Sequence, residues 1–217
     1  MLFPAPPPAH VEVIGHSVQG RPIRAFELHG GPRVVLVFGC IHGDETAGIP
    51  VVRLLERREV PGVDLWLVPD LNPDGVARGT RQNAHGVDLN RNFPAMWLRI
   101  GRRGSPQWSG PRPLSEPESR AARNLIRRIR PRLTLWFHQP QALVRAWGPS
   151  RAAGRRFARL ARMRFRPLPW PNGSAPNWQN HLDPRSPSFV VELPAGPLAG
   201  GRAAELAQAV RAAAAPS

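Results

Sequence analysis

The sequence predicts an α/β fold, a single domain built on a mixed, twisted β-sheet with helices on both faces. Three short apolar runs support this prediction: Arg33 to Phe38, Val63 to Val68 and Leu133 to Phe137. Such continuous runs are typical of strands that are covered on both faces. Segments with helical spacing of apolar residues separate them, and this alternation is typical of α/β proteins. A chain of 217 residues suffices for one core, so we expect one catalytic domain over 1–217, with a loose proline-rich start over 1–10.

The formal net charge of +15 raises the question of a nucleic-acid or membrane partner. The basic residues are all arginine and most are scattered along the chain, in a sequence that is also rich in Pro and Gly. This pattern indicates a compositional bias of the whole sequence, and we expect neither a specific nucleic acid nor a membrane as partner. A basic nucleic-acid-binding module stays as the remote alternative, which predicts salt-sensitive binding that needs no metal.

Cysteine content and hydropathy indicate the compartment. The single cysteine, Cys40, excludes an internal disulfide and fits a reducing environment. The first residues lack the basic and apolar regions of a signal peptide, and no apolar stretch approaches the about 20 residues of a membrane helix. We therefore expect a soluble cytoplasmic protein; its oligomeric state cannot be read from the sequence.

The first elements predicted are an edge hairpin and an amphipathic helix. Two strands, Val11 to Gly15 and Arg21 to Leu28, flank a turn that contains a glycine. After the strand at Arg33 to Phe38, apolar residues at helical spacing predict a helix over Thr46 to Glu59. A polar passage without periodicity then extends from Pro69 to about Leu114, and such a long irregular segment points to function.

The second half of the chain continues the alternation. Ser115 and Glu118 have the spacing of a capping box, which predicts a helix that runs to Arg130. The remaining predictions are a helix over Arg151 to Met163, a loop over Arg166 to Pro187, a strand over Ser188 to Val191 and a helix over Gly201 to Ala214.

Four titratable residues stand at or just after the ends of predicted strands. His42 and Glu45 follow the first apolar run, His138 ends another, and Glu192 follows Ser188 to Val191. In open α/β sheets, ligands bind outside the carboxyl ends of the strands. Two imidazoles and two carboxylates on one rim therefore indicate a hydrolytic metal site.

The motifs around these residues resemble those of the zinc carboxypeptidase family of carboxypeptidase A-like metallopeptidases, and most closely the bacterial murein peptide amidases within it. The matching segments occur in the expected order along the chain. They are His42-Gly43-Asp44-Glu45, Asn72-Pro73-Asp74-Gly75, Gly86-Val87-Asp88-Leu89-Asn90-Arg91-Asn92-Phe93, Phe137-His138-Gln139-Pro140 and Val191-Glu192-Leu193-Pro194.

The resemblance implies one zinc ion, held by His42, Glu45 and His138 with a fourth position open. It implies that Glu192 is the general base. It also implies that Arg81 stabilises the oxyanion, although the neighbouring Arg78 is close enough to leave this assignment open.

Further positions carry the implied substrate contacts. Asn90 and Arg91 match the pair that binds the terminal carboxylate of the substrate, a task that suits a guanidinium fork. Digestive members of the family close a tyrosine over the substrate, but this chain has no Tyr. Ser174, Trp178 or Trp170 are the candidates for that wall. His10, His16, His29, His85 and His181 have no partner of suitable spacing, and we interpret them as non-ligands.

The function implied is zinc-dependent hydrolysis of an amide bond next to a free terminal carboxylate, with a small peptide as substrate. For the bacterial branch this is the bond between γ-D-glutamate and meso-diaminopimelate in murein peptides, cleaved during cell wall recycling. The alternative is an N-acyl amino acid deacylase of the succinylglutamate desuccinylase or aspartoacylase type, which shares the His-x-x-Glu turn.

Overall fold

The computed structural model of the chain describes residues 10–216. The predicted proline-rich start lies outside this range, apart from His10. The strands are β1 (His10–His16), β2 (Pro22–His29), β3 (Arg33–Phe38), β4 (Val63–Val68), β5 (Leu133–His138), β6 (Gln141–Arg145), β7 (Arg164–Arg166) and β8 (Ser188–Pro194). The helices are α1 (Gly48–Leu55), α2 (Pro73–Arg78), α3 (Pro117–Ile129), α4 (Arg151–Leu160), α5 (Ala175–Leu182) and α6 (Arg202–Ala214).

All eight strands form one mixed sheet in the order β1-β2-β4-β3-β5-β8-β6-β7. The four central strands β4, β3, β5 and β8 are parallel to one another. The antiparallel pairs are β1 with β2, β2 with β4, and β6 with β8. The mixed α/β sheet and the edge hairpin predicted from the sequence are therefore confirmed.

Helices cover both faces of the sheet because two successive crossover connections run in opposite directions across it. The connection through α1 leads from β3 to β4 on one side, and the connection through α3 leads from β4 past β3 to β5 on the other. Since such crossovers are right-handed, α1 and α3 lie on opposite faces. The order of the strands thus reverses between β3 and β5, which is where α/β sheets of this kind bind ligands.

Helix α1 is shorter than predicted, Gly48–Leu55 in place of Thr46 to Glu59. Its first residue is glycine because a larger side chain there would collide with the sheet: a Cβ on Gly48 would lie 2.2 Å from the Gly39 carbonyl oxygen and 2.5 Å from Phe137. Beyond Leu55, the last buried position of the helix, Glu56 is half-buried and Arg57 and Arg58 are exposed.

The predicted capping box is wrong. Helix α3 has Glu116 as its N-cap residue, and the side chain of Ser115 instead donates to the Glu116 carboxylate, at 2.6 Å. Glu118 does not reach back to the helix start because it accepts from the Val18 amide and from Asn83. These buried acids belong to a tertiary network rather than to a local cap.

The sequence prediction also missed short elements. Strands β6 and β7 widen the sheet beyond β8, and α5 lies inside the segment predicted as a loop. Short elements with few periodic positions give little pattern to detect. Among the described residues, no helix has the length and apolar character needed to cross a membrane.

Candidate active site

The candidate site lies at the carboxyl ends of β3, β5 and β8, beside the point where the strand order reverses. His42 follows β3 through a turn in which two backbones nearly touch. A Cβ on Gly43 would lie 2.0 Å from the carbonyl carbon of Gly75, so only glycine fits there. His138 ends β5, and the parallel register of β5 with β8 places Glu192 directly beside it.

His42, Glu45 and His138 converge on one buried point, with ligand atoms within 4.8 Å of one another. The Nδ1 atom of His42 lies 3.0 Å from Oε1 of Glu45. The Nδ1 atom of His138 lies 2.8 Å from Oε2 of the same carboxylate. Glu45 and His138, which are 93 positions apart in the chain, are thus in direct contact.

The chemistry of this donor set fits zinc. Two imidazole nitrogens and one carboxylate are the ligands of hydrolytic zinc sites, and tetrahedral ligands about 2 Å from an ion lie about 3.3 Å apart. The Nδ1 atom of His42 supports the fit independently, because it is buried and forms no well-aligned hydrogen bond although Glu45 is close. A buried nitrogen without a partner is costly unless something binds it.

Asp88 orients the His42 imidazole from the side of the ring that faces away from Glu45. One of its oxygens, Oδ1, lies 3.0 Å from Nε2 of His42, which fixes the imidazole with Nδ1 towards Glu45. The other, Oδ2, accepts from Nε and Nη2 of Arg81, at 3.1 Å and 3.0 Å. A carboxylate behind a ligating histidine is the usual support of a zinc site.

Arg81 faces the candidate metal ligands. Its Nη1 donates to Oε1 of Glu45, at 2.9 Å, and the residue lines the cleft. Arg78 is exposed at the end of α2 and is not among the lining residues of the cleft. Of the two candidates for the oxyanion role, the structure therefore brings Arg81 to the site.

An irregular segment holds Arg81 in place. Asn83 donates to the carboxylates of Glu116 and Glu118, at 2.7 Å and 3.0 Å, and all three side chains are buried. This network explains how a passage with little regular structure between α2 and α3 can position a guanidinium.

The charges of the site support one another. Burial by itself would raise the pKa of Glu45, but the hydrogen bond with His138 and the nearby imidazole of His42 hold it well below its usual range. Burial would likewise raise the pKa of Asp88, and the neighbouring His42 and Arg81 lower it. Both carboxylates are therefore ionised across the physiological pH range.

Glu192 differs from the other acids because its environment raises its pKa to about 7, chiefly by burial and then by the charge of Glu45. Its Oε2 atom is buried without a hydrogen-bond partner, and only 7% of the residue is exposed. A carboxylate with a pKa near the working pH can both take up and release a proton.

Asn90 and Arg91 also line the cleft. Asn90 is fixed from two sides: its Oδ1 accepts from the Ala175 amide at 2.9 Å, and its Nδ2 lies 3.3 Å from Nε2 of His138. Arg91 donates to the carbonyl oxygen of Asn90, at 2.8 Å. Burial lowers the pKa of Arg91, as do the positive charges of Arg81 and Arg145, although Asp88 opposes them.

The three candidates for the wall of the substrate cleft occupy different positions in the structure. Ser174 and Trp170 line the cleft, which encloses about 590 Å³. Trp178 is not among the lining residues; its ring packs 5.5 Å from that of Phe93 in the core. The reason is α5, which the sequence prediction missed: Ser174 is its N-cap residue, and Trp178 lies one turn further along it.

One residue of the cleft was missed at the sequence level. Arg145 stands at the end of β6, lines the cleft and lies with its guanidinium carbon 5.9 Å from the centre of the Trp170 ring. Its only signal in the sequence is a position seven residues after His138, which does not distinguish one arginine in so arginine-rich a chain.

The interpretation of His29 as a residue without suitable neighbours needs correction. Pairing of β2 with β4 brings His29 opposite Asp64, and Glu27, His29 and Asp64 have ligand atoms within 4.8 Å of one another. This second group differs from the buried centre because the His29 side chain is 77% exposed. Sequence spacing could not reveal a neighbour across two strands.

Comparison with known proteins identifies the family of the chain. A sequence profile described as zinc carboxypeptidase matches residues 5–164. Murein peptide amidase A of Escherichia coli strain K12 is 35% identical over 150 residues, which cover 63% of this chain and 62% of that protein. The chain thus spans 62% of the length of this relative. A gamma-D-glutamyl-L-diamino acid endopeptidase 1 of Lysinibacillus sphaericus is 28% identical over 242 residues, covering 84% of the chain and 60% of that protein.

Solved structures show the same fold. Murein-tripeptide amidase MpaA from Escherichia coli O157 superposes with a TM-score of 0.77 at 28% identity, covering 97% of this chain and 92% of that one. Carboxypeptidase A from Helicoverpa armigera reaches the same TM-score at 21% identity, with 95% and 68% covered. Since the matched profile covers more than half of the sequence, the chain belongs to the zinc carboxypeptidase family.

Proposed function

We propose that this protein is a zinc-dependent hydrolase of the amide bond that precedes a free terminal carboxylate in a small peptide. The observation that carries the proposal is the shared cleft of His42, Glu45, His138, Glu192 and Arg91. It unites a metal-binding triad, an acid with a pKa of about 7 and a guanidinium without a carboxylate partner among the described residues.

The residues divide the chemistry as follows. A bound zinc ion would polarise the scissile carbonyl and acidify a water molecule. Glu192 takes a proton from the attacking water and later gives it to the leaving amine. Arg81 donates hydrogen bonds to the oxygen on which negative charge develops. Arg91 and Asn90 hold the terminal carboxylate, so that the amide bond lies between them and the metal ligands.

For the substrate, we propose a murein peptide and its bond between γ-D-glutamate and meso-diaminopimelate. The names of two relatives support this choice. One is a murein peptide amidase, and the other is a gamma-D-glutamyl-L-diamino acid endopeptidase. A cavity of about 590 Å³ is of a size suited to a small peptide ligand. We further propose one zinc ion, one catalytic domain over 1–217 and a cytoplasmic role in cell wall recycling, the last supported by the single buried Cys40.

The test uses purified protein, stripped of metal and then reloaded with zinc. It is incubated with L-Ala-γ-D-Glu-meso-diaminopimelate, and free diaminopimelate is measured by mass spectrometry. We expect release with zinc and none after chelation. Cleavage of acetylated or succinylated amino acids without cleavage of the tripeptide would instead establish the deacylase alternative. Salt-sensitive nucleic-acid binding with no hydrolysis of either would contradict both enzymes.

A further inference from the structure

The arginines of the cleft differ in what they bind. Arg81 donates to the carboxylates of Glu45 and Asp88. Arg91 and Arg145, in contrast, donate within the described part of the chain only to backbone carbonyls, those of Asn90 and Pro169. The Nε atom of Arg145 is buried and has no hydrogen-bond partner within residues 10–216. Two guanidinium groups are thus available to anions, whereas one terminal carboxylate needs only one.

The register of β6 with β8 locates Arg145 relative to Glu192. In the antiparallel pair of β6 with β8, Arg145 lies opposite Val190, and Leu143 lies opposite Glu192. Since alternate residues of a strand share a face, Arg145 stands on the same face as Leu143, opposite the β8 residue two positions before Glu192. Val190 itself lines the cleft. Arg145 therefore lies past the reacting carboxyl group, on the side of β6 and Trp170.

Two further polar groups of the cleft have no partner among the described residues. Nε1 of Trp170 and Oγ of Ser174 are buried without hydrogen bonds, and the residues are only 9% and 1% exposed. Both residues line the same cleft. Buried donors without partners are rare in folded proteins, and at a cleft wall they are the groups that a ligand satisfies. The charge of Arg145 is also poorly compensated. Burial lowers its pKa, and the charge of Glu192 only partly opposes this.

We propose that Arg145 and Trp170 form a second anion subsite, which binds a carboxylate on the side chain of the leaving amino acid. The subsite rests on the proposed function, because it selects among leaving residues whose terminal carboxylate Arg91 holds. The ligand class is an amino acid with two carboxylates, such as diaminopimelate or 2-aminopimelate. Planar guanidinium groups bind carboxylates through paired hydrogen bonds, and lysine, with its cationic side chain, would be repelled.

The competing role for Arg145 is positioning of Glu192, since its charge acts on that carboxyl group. The two roles predict different kinetics. A positioning residue affects every substrate equally and shifts the pH dependence of kcat. A subsite residue affects KM, and only for substrates with the second carboxylate.

The experiment compares L-Ala-γ-D-Glu-meso-diaminopimelate with L-Ala-γ-D-Glu-L-Lys on zinc-loaded wild type, Arg145→Met, Arg145→Lys and the control Arg155→Met. Arg155 is a matched control because its guanidinium also stacks on an aromatic ring, that of Phe165 at 5.3 Å, and Arg155 is not among the cleft residues. We expect Arg145→Met to lower kcat/KM for the diaminopimelate peptide by about 10- to 100-fold, mainly through KM. The lysine peptide and the control should change by less than about threefold, and Arg145→Lys should retain part of the preference.

Equal losses on both peptides with a shifted pH profile would overturn the subsite in favour of positioning, and so would an unchanged preference in Arg145→Met. If the wild type cleaves neither peptide, the proposed function fails, and direct binding still tests the subsite. Calorimetry with 2-aminopimelate and norleucine compares ligands with and without a side-chain carboxylate. We expect at least tenfold tighter binding of 2-aminopimelate, lost in Arg145→Met and partly kept in Arg145→Lys. Equal affinities, or no binding of either, would overturn the subsite.

Discussion

The two sides of the cleft differ in how completely their polar groups are paired. On the metal side, Glu45 and Asp88 tie both histidines and Arg81 into one network of hydrogen bonds, and the Nδ1 atom of His42, which has no hydrogen-bond partner among the described residues, is left for the proposed metal ion. On the opposite wall, Arg145 and Trp170 hold buried nitrogen atoms that have no partner. Paired networks are rigid, whereas unpaired buried donors cost stability until a ligand binds them. Under the proposed function, the metal side would be organised before substrate arrives, and the substrate would complete the wall.

Glu192 belongs to neither pattern. It lies on the metal side by register, beside His138, yet one of its oxygens is unpaired like the donors of the wall. An unpaired buried acid with a pKa of about 7 is the arrangement expected of a proton carrier. It is the residue at which the contrast between the two sides can be tested most severely.

The largest effect should follow Glu192→Gln, which removes the proton carrier and leaves the paired network intact. Turnover should fall roughly 10³-fold while zinc is retained, because general acid–base catalysis typically contributes about 10²–10⁴-fold. Steady-state kinetics together with metal analysis measure both. Glu205→Gln, an exposed exchange on α6, is the control. A loss below about tenfold would remove Glu192 from the catalytic role.

The same substitution should stabilise the metal-free protein at high pH. With a folded-state pKa of about 7 against about 4.3 for a free carboxyl, the folded state binds the Glu192 proton more tightly. The unfolding free energy of the wild type therefore contains a favourable contribution below pH 4 that is lost as the pH rises towards 7. Glu192→Gln should be more stable by on the order of 3 kcal/mol at pH 8 and equal at pH 4. Denaturant titrations at both pH values measure this, and identical midpoints at pH 8 would contradict it.

A smaller effect should follow Asp88→Asn on the paired side. The substitution keeps the shape but removes the charge that orients His42 and Arg81, and such losses typically lower metal affinity about 10- to 100-fold. Competition with a coloured chelator measures zinc affinity directly. Asp183→Asn, at an exposed position, is the matched control. Unchanged affinity would mean that the network does not prepare the metal centre.

The smallest effect should separate the two tryptophans of the segment around α5. Trp170→Phe removes the unpaired Nε1 donor of the wall and should raise KM by a few-fold with little loss of stability. Trp178→Phe changes a ring that packs against Phe93, so it should lower the melting temperature and leave KM unchanged. Thermal unfolding and KM are measured for both variants. A raised KM in Trp178→Phe alone would contradict the assignment of Trp170 to the cleft wall and of Trp178 to the core.

The contrast also explains how much could be predicted from the sequence. Metal-side residues follow long apolar strands whose pattern is distinct, and the parallel order of those strands brings His42, His138 and Glu192 together. The α/β sheet was predicted for the same reason. Strand ends are thus the part of the site that sequence periodicity can locate.

The residues of the opposite wall could not be located from sequence periodicity. Arg145 lies on a five-residue strand whose pairing with β8 is a tertiary contact, and Trp170 is placed by a segment with proline and glycine but little periodicity. The capping box failed similarly, because Glu118 is drawn into contacts with Asn83 and Val18 from distant segments. Residues fixed by long-range contacts give no local signal.

The most direct test of the account is the zinc content of the protein, measured by mass spectrometry of the metal after saturation with zinc and desalting. We predict one ion per chain in the wild type and in Glu192→Gln, and less than a tenth of that in His42→Ala and His138→Ala, each checked for folding by circular dichroism. A wild type without zinc, or folded histidine variants that retain it, would contradict a metal centre at the ends of β3 and β5.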